Sequence, residues 1–159
     1  MSAAVFPTPG HNHRHCAKHA LSEAEDVCKD RGVRLTSLRR RVLELVWDSH
    51  APIGAYDILA KLNAGGARNA PMAVYRALDF LIDNGLVHRL DSRNAFIGCR
   101  HPRDRHRAQF LICGKCGAVA ELASETLHET VRRAARSKGF KVEDVSIEAT
   151  GRCPNCVTA

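Results

Sequence analysis

A helix and a β-hairpin follow one another in residues 71–99, which read PMAVYRALDFLIDNGLVHRLDSRNAFIGC. Pro71 suits the first turn of a helix and Gly85 suits a left-handed stop, so the spacing predicts about four helical turns between them. The apolar residues of this helix recur on one face: Val74, Ala77, Leu78, Leu81 and Ile82. Two apolar runs, 86–90 and 95–99, then predict strands joined by a four-residue loop.

Further helices are predicted upstream of this stretch. Ser22 and Glu25 have the spacing of a capping box, which predicts a short helix that ends at Gly32. Thr36 can cap a second helix over 37–48, and a third is expected over 55–62. Three helices followed by a hairpin are the pattern of a winged helix. In that fold the last helix before the hairpin enters the major groove of DNA.

The pattern predicts four segments and an α+β fold. Residues 1–21 carry no apolar period and are expected to be a flexible tail. The winged helix covers 22–99, and the polar run RHPRDRHR makes 100–107 a connector. Residues 108–159 form a small second domain. The tail also holds five potential metal ligands: His11, His13, His15, Cys16 and His19.

The second domain is predicted to mix strands with one helix. Strands are expected over 109–112, 118–122 and 141–148, and a helix over 124–138. The buried stripe of that helix is predicted to be Leu127, Val131 and either Ala134 or Ala135.

Composition restricts the class of protein. A chain of 159 residues with 45% hydrophobic and 26% charged residues supports one domain or two small ones, which excludes a large multidomain enzyme. The net charge of +7 favours a polyanionic partner. No apolar run is long enough for a membrane helix, and residues 1–10 lack an export signal, so we expect a cytoplasmic protein without a membrane partner.

Four of the seven cysteines form two C-x-x-C pairs, Cys113 with Cys116 and Cys153 with Cys156. Two such pairs complete a tetrahedral sulfur cage for zinc, and a cage without an open position is structural rather than catalytic. Iron in the same cage, as an electron-transfer site, is the alternative. The 36 residues between the pairs must fold back to unite them.

The order of these features resembles the ferric uptake regulator family of metal-dependent repressors, from about Ser22 to Cys156. The resemblance is carried by VRLTSLR at 33–39, AYDIL at 55–59, AVYRALDFL at 73–81, the wing from His88 to Cys99, CGKCGAV at 113–119 and the last cysteine pair. It implies a DNA-binding homodimer that forms through the second domain.

Within the family, the pattern resembles the branch of zinc uptake regulators. That resemblance implies a regulatory metal site made of His88, Cys99, His106 and Glu121, with His101 as a rival to His106. One sulfur, two nitrogens and one carboxylate oxygen suit zinc better than iron or manganese. About two zinc ions per protomer are therefore expected, one structural and one regulatory. The sequence does not decide whether there is a third metal site.

The resemblance implies a repressor rather than an enzyme, in which zinc closes the hinge and acts as corepressor at an inverted-repeat operator of zinc-uptake genes. Arg76 is the candidate base reader, and Tyr56 and Tyr75 are candidates for thymine-methyl, sugar or phosphate contacts. Two alternatives remain. One is an iron or peroxide sensor on the same scaffold, and the other is a zinc-ribbon interaction module or thiol enzyme with Cys99 as nucleophile.

Overall fold

The computed structural model describes residues 6–7, 12–104 and 106–157. They form two compact units. The winged-helix unit contains the described residues of 7–105, and the C-terminal unit contains Phe6 together with the described residues from His106 onward. Within the described part of the chain, every helix is too short or too polar to span a bilayer.

The winged-helix unit has four helices followed by a hairpin, as the sequence predicts from Thr36 onward. The elements are α1 (His13–Asp30), α2 (Ser37–Val46), α3 (Ala55–Asn63), α4 (Pro71–Asp83), β1 (Val87–Leu90) and β2 (Ala95–Gly98). The two strands pair antiparallel, with Val87 opposite Gly98. Asn94 adopts a left-handed conformation with φ of 46°, which closes the four-residue loop.

The core of this unit is built from aliphatic side chains of all four helices. Val42, Ile58, Leu78 and Leu81 are each at most 1% exposed. Side chains at helical spacing supply this core, so the predicted apolar face of α4 is confirmed. The wing is anchored to it because Ile53 forms a two-way backbone bridge with Phe96, with N···O distances of 3.0 and 2.8 Å.

Helix α1 begins much earlier than the sequence pattern predicts. It starts at His13, and the Asn12 side chain accepts a hydrogen bond from the His15 backbone N–H at 3.4 Å. The prediction of a flexible tail over 1–21 is therefore wrong for residues 13–21, while residues 1–5 and 8–11 lie outside the described part. The face that packs on the core there is mostly alanine, Ala17 and Ala20, which gives a weak hydrophobic period.

The C-terminal unit is a three-stranded sheet with a crossover helix. Its elements are β3 (Ala108–Cys113), β4 (Val119–Ala123), α5 (Glu125–Arg136), β5 (Ile147–Gly151) and the short α6 (Pro154–Val157). The strand order is β4-β3-β5, with β4 antiparallel and β5 parallel to β3. The predicted third strand at 141–148 is misplaced, because pairing with β3 begins only at Ile147. Helix α6 was not predicted.

Helix α5 buries a different face from the one that the sequence predicts. Leu127 and Val131, predicted to be buried, are 43% and 41% exposed in the single chain. His128 instead is 2% exposed and is the only fully buried residue of this helix. The hydrophobic period identified an apolar face correctly, but it could not show whether that face packs on the chain's own sheet.

Candidate functional site

The two cysteine pairs meet at one end of the β3–β5 strand pair. Cys113 ends β3, and Cys116 lies in the turn that follows, where Gly117 adopts a φ of 75°. Cys153 follows β5, and Cys156 lies in α6, which Pro154 begins. Parallel pairing places Cys113 opposite Gly151, so the fold brings the pairs together across the long gap between them.

The four sulfur atoms have the spacing of a tetrahedral metal site. All lie within 4.8 Å of one another, and the Sγ atoms of Cys116 and Cys153 are 3.7 Å apart. Two sulfurs bound to one zinc ion at about 2.3 Å in a tetrahedron are separated by about 3.8 Å. The residues present therefore fit a structural zinc ion.

The four thiols differ in acidity. Backbone N–H groups directed at the Cys113 sulfur, first that of Cys116 and then that of Cys153, lower the pKa of Cys113 from 9.0 to about 5. Burial raises the pKa of Cys153, and it raises the pKa of Cys156 to about 12. Because burial favours the protonated form of Cys153 and Cys156, binding of zinc by the complete set must release protons.

One further side chain contacts this cluster without having been singled out in the sequence. Phe6 packs against the cysteines together with Ala118. It also lines a cavity of about 140 Å³ beside β5. No periodic pattern surrounds Phe6, so its position depends on tertiary structure that sequence reasoning could not supply.

The winged-helix unit holds His88 and Cys99 on one face of its hairpin. The Cys99 N–H donates to the Leu86 carbonyl at 3.0 Å, which extends the strand pairing by one residue. Cys99 is therefore opposite Leu86, and His88 lies two positions along the same strand, so the two side chains are diagonal neighbours. Cys99 is 3% exposed and His88 is half-buried.

The C-terminal unit holds His106 and Glu121 in direct contact. The Nε2 atom of His106 contacts Oε1 of Glu121, and both side chains are largely buried. Glu121 lies on β4 opposite Phe110, so the sheet fixes its position. His101, the rival ligand, belongs to the winged-helix unit and is exposed.

The outer face of α4 is a candidate nucleic-acid interface. Tyr75 and Arg76 are exposed there, and Tyr56 on α3 is 72% exposed. Within the described part of the chain, the Arg76 guanidinium forms no ion pair or hydrogen bond. The arginines of α2 differ, because Arg40 and Arg41 both pair with Glu44.

Sequence comparisons match this chain to a protein family and to an individual relative. The model of the ferric uptake regulator family matches residues 30–150. The zinc uptake regulation protein of Escherichia coli (strain K12) is 38% identical over 138 residues, which are 86% of this chain and 81% of that protein.

Two solved structures are also similar. A zinc uptake regulator complexed with zinc and DNA has a TM-score of 0.82 at 37% identity, over 89% of this chain and 95% of that one. Holo XcZur has a TM-score of 0.79 at 38% identity, over 87% and 97%. With the winged helix and the four-cysteine cluster, these matches show that the chain belongs to the ferric uptake regulator family, a family of transcriptional regulators.

Proposed function

We propose that this protein is a zinc-responsive transcriptional repressor that binds operator DNA as a zinc-loaded homodimer and represses zinc-uptake genes. The observation that carries the proposal is the likeness, in both sequence and fold, to a regulator solved with zinc and DNA. Such a protein acts in the cytoplasm and needs no catalytic residue. We assign 22–99 to DNA binding, 100–107 to a hinge and 108–159 to dimerisation and metal binding.

Zinc at Cys113, Cys116, Cys153 and Cys156 is the structural ion of this proposal. The 3.7 Å sulfur separation supports it. When bound, zinc supplies cross-links between the turn after β3 and the segment after β5. The backbone bond from the Gly114 N–H to the Gly151 carbonyl, at 2.8 Å, orients the two segments toward each other.

The regulatory zinc is assigned to His88, Cys99, His106 and Glu121. The shared hairpin face of His88 and Cys99 supports the assignment, as does the contact of His106 with Glu121. That contact favours His106 over the exposed His101 as the connector ligand. Zinc changes DNA affinity only if it binds the DNA-competent state more tightly, so zinc and operator must strengthen each other's binding reciprocally.

The DNA-contacting residues are assigned to Arg76, Tyr75 and Tyr56. A guanidinium can donate to guanine O6 and N7 at once, and an unpaired Arg76 on the outer face of α4 has the chemistry for that contact. The two tyrosines are assigned to thymine-methyl, sugar or phosphate contacts. The exposed apolar residues Leu127 and Val131 of α5 support dimerisation through the C-terminal unit.

The regulatory site is tested with Cys99→Ser. We expect this variant to keep its fold, dimeric state and structural zinc but to lose the zinc dependence of operator binding, because three remaining ligands hold the ion weakly. Zinc content before and after mild chelation, with operator titrations at buffered free zinc, measures both effects. Cys28→Ser, which removes the other buried thiol of the same unit, is the matched control. Unchanged zinc dependence in Cys99→Ser would refute the assignment.

Three companion experiments separate the alternatives. His101→Ala against His106→Ala identifies the connector ligand, since only the true ligand should reproduce the Cys99→Ser result. Restoration of DNA binding to the chelated protein by iron or manganese but not by zinc would favour the alternative of an iron or peroxide sensor on the same scaffold. Hydrolysis of an activated ester that depends on Cys99 and needs no DNA would favour the thiol enzyme.

Base reading is tested with Arg76→Ala. We expect weaker operator binding and relaxed preference at one base pair per half-site, by about 1–3 kcal/mol, with zinc content and dimerisation intact. Arg41→Ala, which removes an arginine paired with Glu44, is the control and should leave preference unchanged. Competition between single-base operator variants is the measurement. An Arg76→Ala protein with undiminished preference would exclude α4 as the reader.

A further inference from the structure

Met72 is an exposed apolar side chain at the start of α4. It is 61% exposed, more than any other large apolar residue of this helix. The helix has ample apolar surface buried on its other face, where Val74, Ala77 and Leu78 pack in the core. Met72 takes no part in that packing, so a structural role in the single chain does not explain it.

Met72 continues the outward stripe that holds Tyr75 and Arg76. It lies three residues before Tyr75 and four before Arg76, and side chains at these spacings are neighbours on a helix surface. The stripe then becomes acidic, with exposed Asp79 and Asp83 in the following turns. A polyanionic duplex repels the acidic turns and attracts Arg76, so charge complementarity favours approach by the first turns of α4.

Insertion of those first turns into the major groove would place Met72 against base edges. The apolar group that base pairs present there is the C5-methyl of thymine. The unbranched thioether side chain of methionine adapts its shape to such a contact. Four residues with a rise of about 1.5 Å each separate Met72 from Arg76 by about 6 Å along the helix axis, which corresponds to about one or two base pairs along the groove.

We propose that Met72 is a specificity-determining residue that contacts the methyl group of a thymine one or two base pairs from the guanine bound by Arg76. The proposal rests on the proposed function, because it requires α4 to be the DNA-reading helix. It adds to that function a preference for thymine that the guanidinium of Arg76 cannot provide.

The test removes one methyl group at a time from the DNA. A binding site is first selected from random duplexes with the full-length, zinc-loaded protein. Each thymine of the site is then replaced in turn by deoxyuridine, which keeps every hydrogen-bonding group. We expect the wild-type protein to lose about fourfold affinity per half-site at one thymine near the guanine, the factor that burial of one methyl group provides. Met72→Ala should bind thymine and deoxyuridine equally at that position.

Two variants make the outcome specific. Met72→Leu keeps an apolar side chain and should keep part of the discrimination, whereas Asp83→Ala, in the last turn of the same helix, should leave it intact. Zinc content and thermal unfolding show that each variant is folded. Full discrimination in Met72→Ala, its loss in Asp83→Ala, or no sensitivity of the wild type to deoxyuridine would overturn the Met72 assignment while leaving DNA binding established. Failure of the zinc-loaded wild type to select any duplex would overturn the proposed function as well.

Discussion

The two compact units differ in what fills their interiors. Among the residues that the structure describes, the winged-helix unit buries a cluster of 17 apolar side chains from its helices and the wing. The C-terminal unit has a few buried sheet residues, among them Phe110 and Ile112, and a second cluster made of Cys113, Cys153 and Cys156. Its helix α5 contributes no fully buried apolar side chain.

From this difference we expect the two units to obtain their stability from different sources. Burial of aliphatic surface stabilises the winged-helix unit through many small contributions. A small sheet with one loosely covered face needs another source of free energy, and binding of zinc by four thiolates can provide it. In the proposed homodimer, a partner surface over the exposed Leu127 and Val131 would contribute as well. Substitutions should therefore affect the two units unequally.

The largest effect is expected from Cys153→Ser. Loss of one sulfur from the cluster should release the structural zinc and unfold the C-terminal unit, since metal binding and folding are linked. The winged-helix unit should still unfold cooperatively. Zinc content and urea unfolding, followed separately for the two units by amide hydrogen exchange, measure this.

A matched control for that experiment is Cys28→Ala, which removes a buried thiol from the aliphatic core instead. It should keep the zinc and lose some stability of the winged-helix unit only. A Cys153→Ser protein that stays zinc-replete and fully folded would show that the metal does not support the second core.

An intermediate effect is expected from Leu78→Ala, in the fully buried stripe of α4. The cavity and the lost apolar burial should destabilise the winged-helix unit by about 2–5 kcal/mol. Zinc content should not change. Leu62→Ala, at a partly buried position, is the control and should cost less. Equal losses at both positions in urea unfolding would argue against the packing described for this core.

The smallest effect is expected from Gly98→Ala, which tests how closely the wing approaches Trp47. A Cβ at residue 98 would lie 2.2 Å from Cε2 of the Trp47 ring, so the indole must move. We expect a loss of about 1–3 kcal/mol, the usual cost of overpacking, together with a changed tryptophan emission spectrum. Gly65→Ala, where nothing lies within 4 Å, should change stability by less than about 1 kcal/mol. A neutral Gly98→Ala would contradict this contact.

Local signals were sufficient to predict most of the winged helix. Pro71 and Gly85 mark the ends of α4, and the two apolar runs that flank residues 91–94 predict the hairpin, because each of these features depends on neighbouring residues. The predicted start of α1 and the predicted position of β5 were wrong. Both depend on packing against residues distant in the chain, which small alanines and a short alternating run do not reveal.

In the candidate site, too, local features were predicted from the sequence and features that depend on tertiary packing were not. The cysteine spacing predicts a sulfur cage because each C-x-x-C turn places two thiols together, and the sulfur distances are those of such a cage. The outward direction of Leu127 and the packing of Phe6 on the cysteines depend on tertiary structure. The residues of the regulatory site were identified from a family resemblance, and their assignment stays a prediction.

The strand pairings also have a consequence for the order of folding. Partners in the wing, such as Val87 and Gly98, are 11 residues apart, whereas the parallel partners Phe110 and Glu148 are 38 residues apart. Closing the longer loop costs about 1 kcal/mol more chain entropy, and parallel pairing must wait for the crossover helix. The wing should therefore form early and the β3–β5 pair late. A complete set of four cysteines becomes available to zinc only after that slow pairing, so metal capture is expected to be the final step in maturation of the chain.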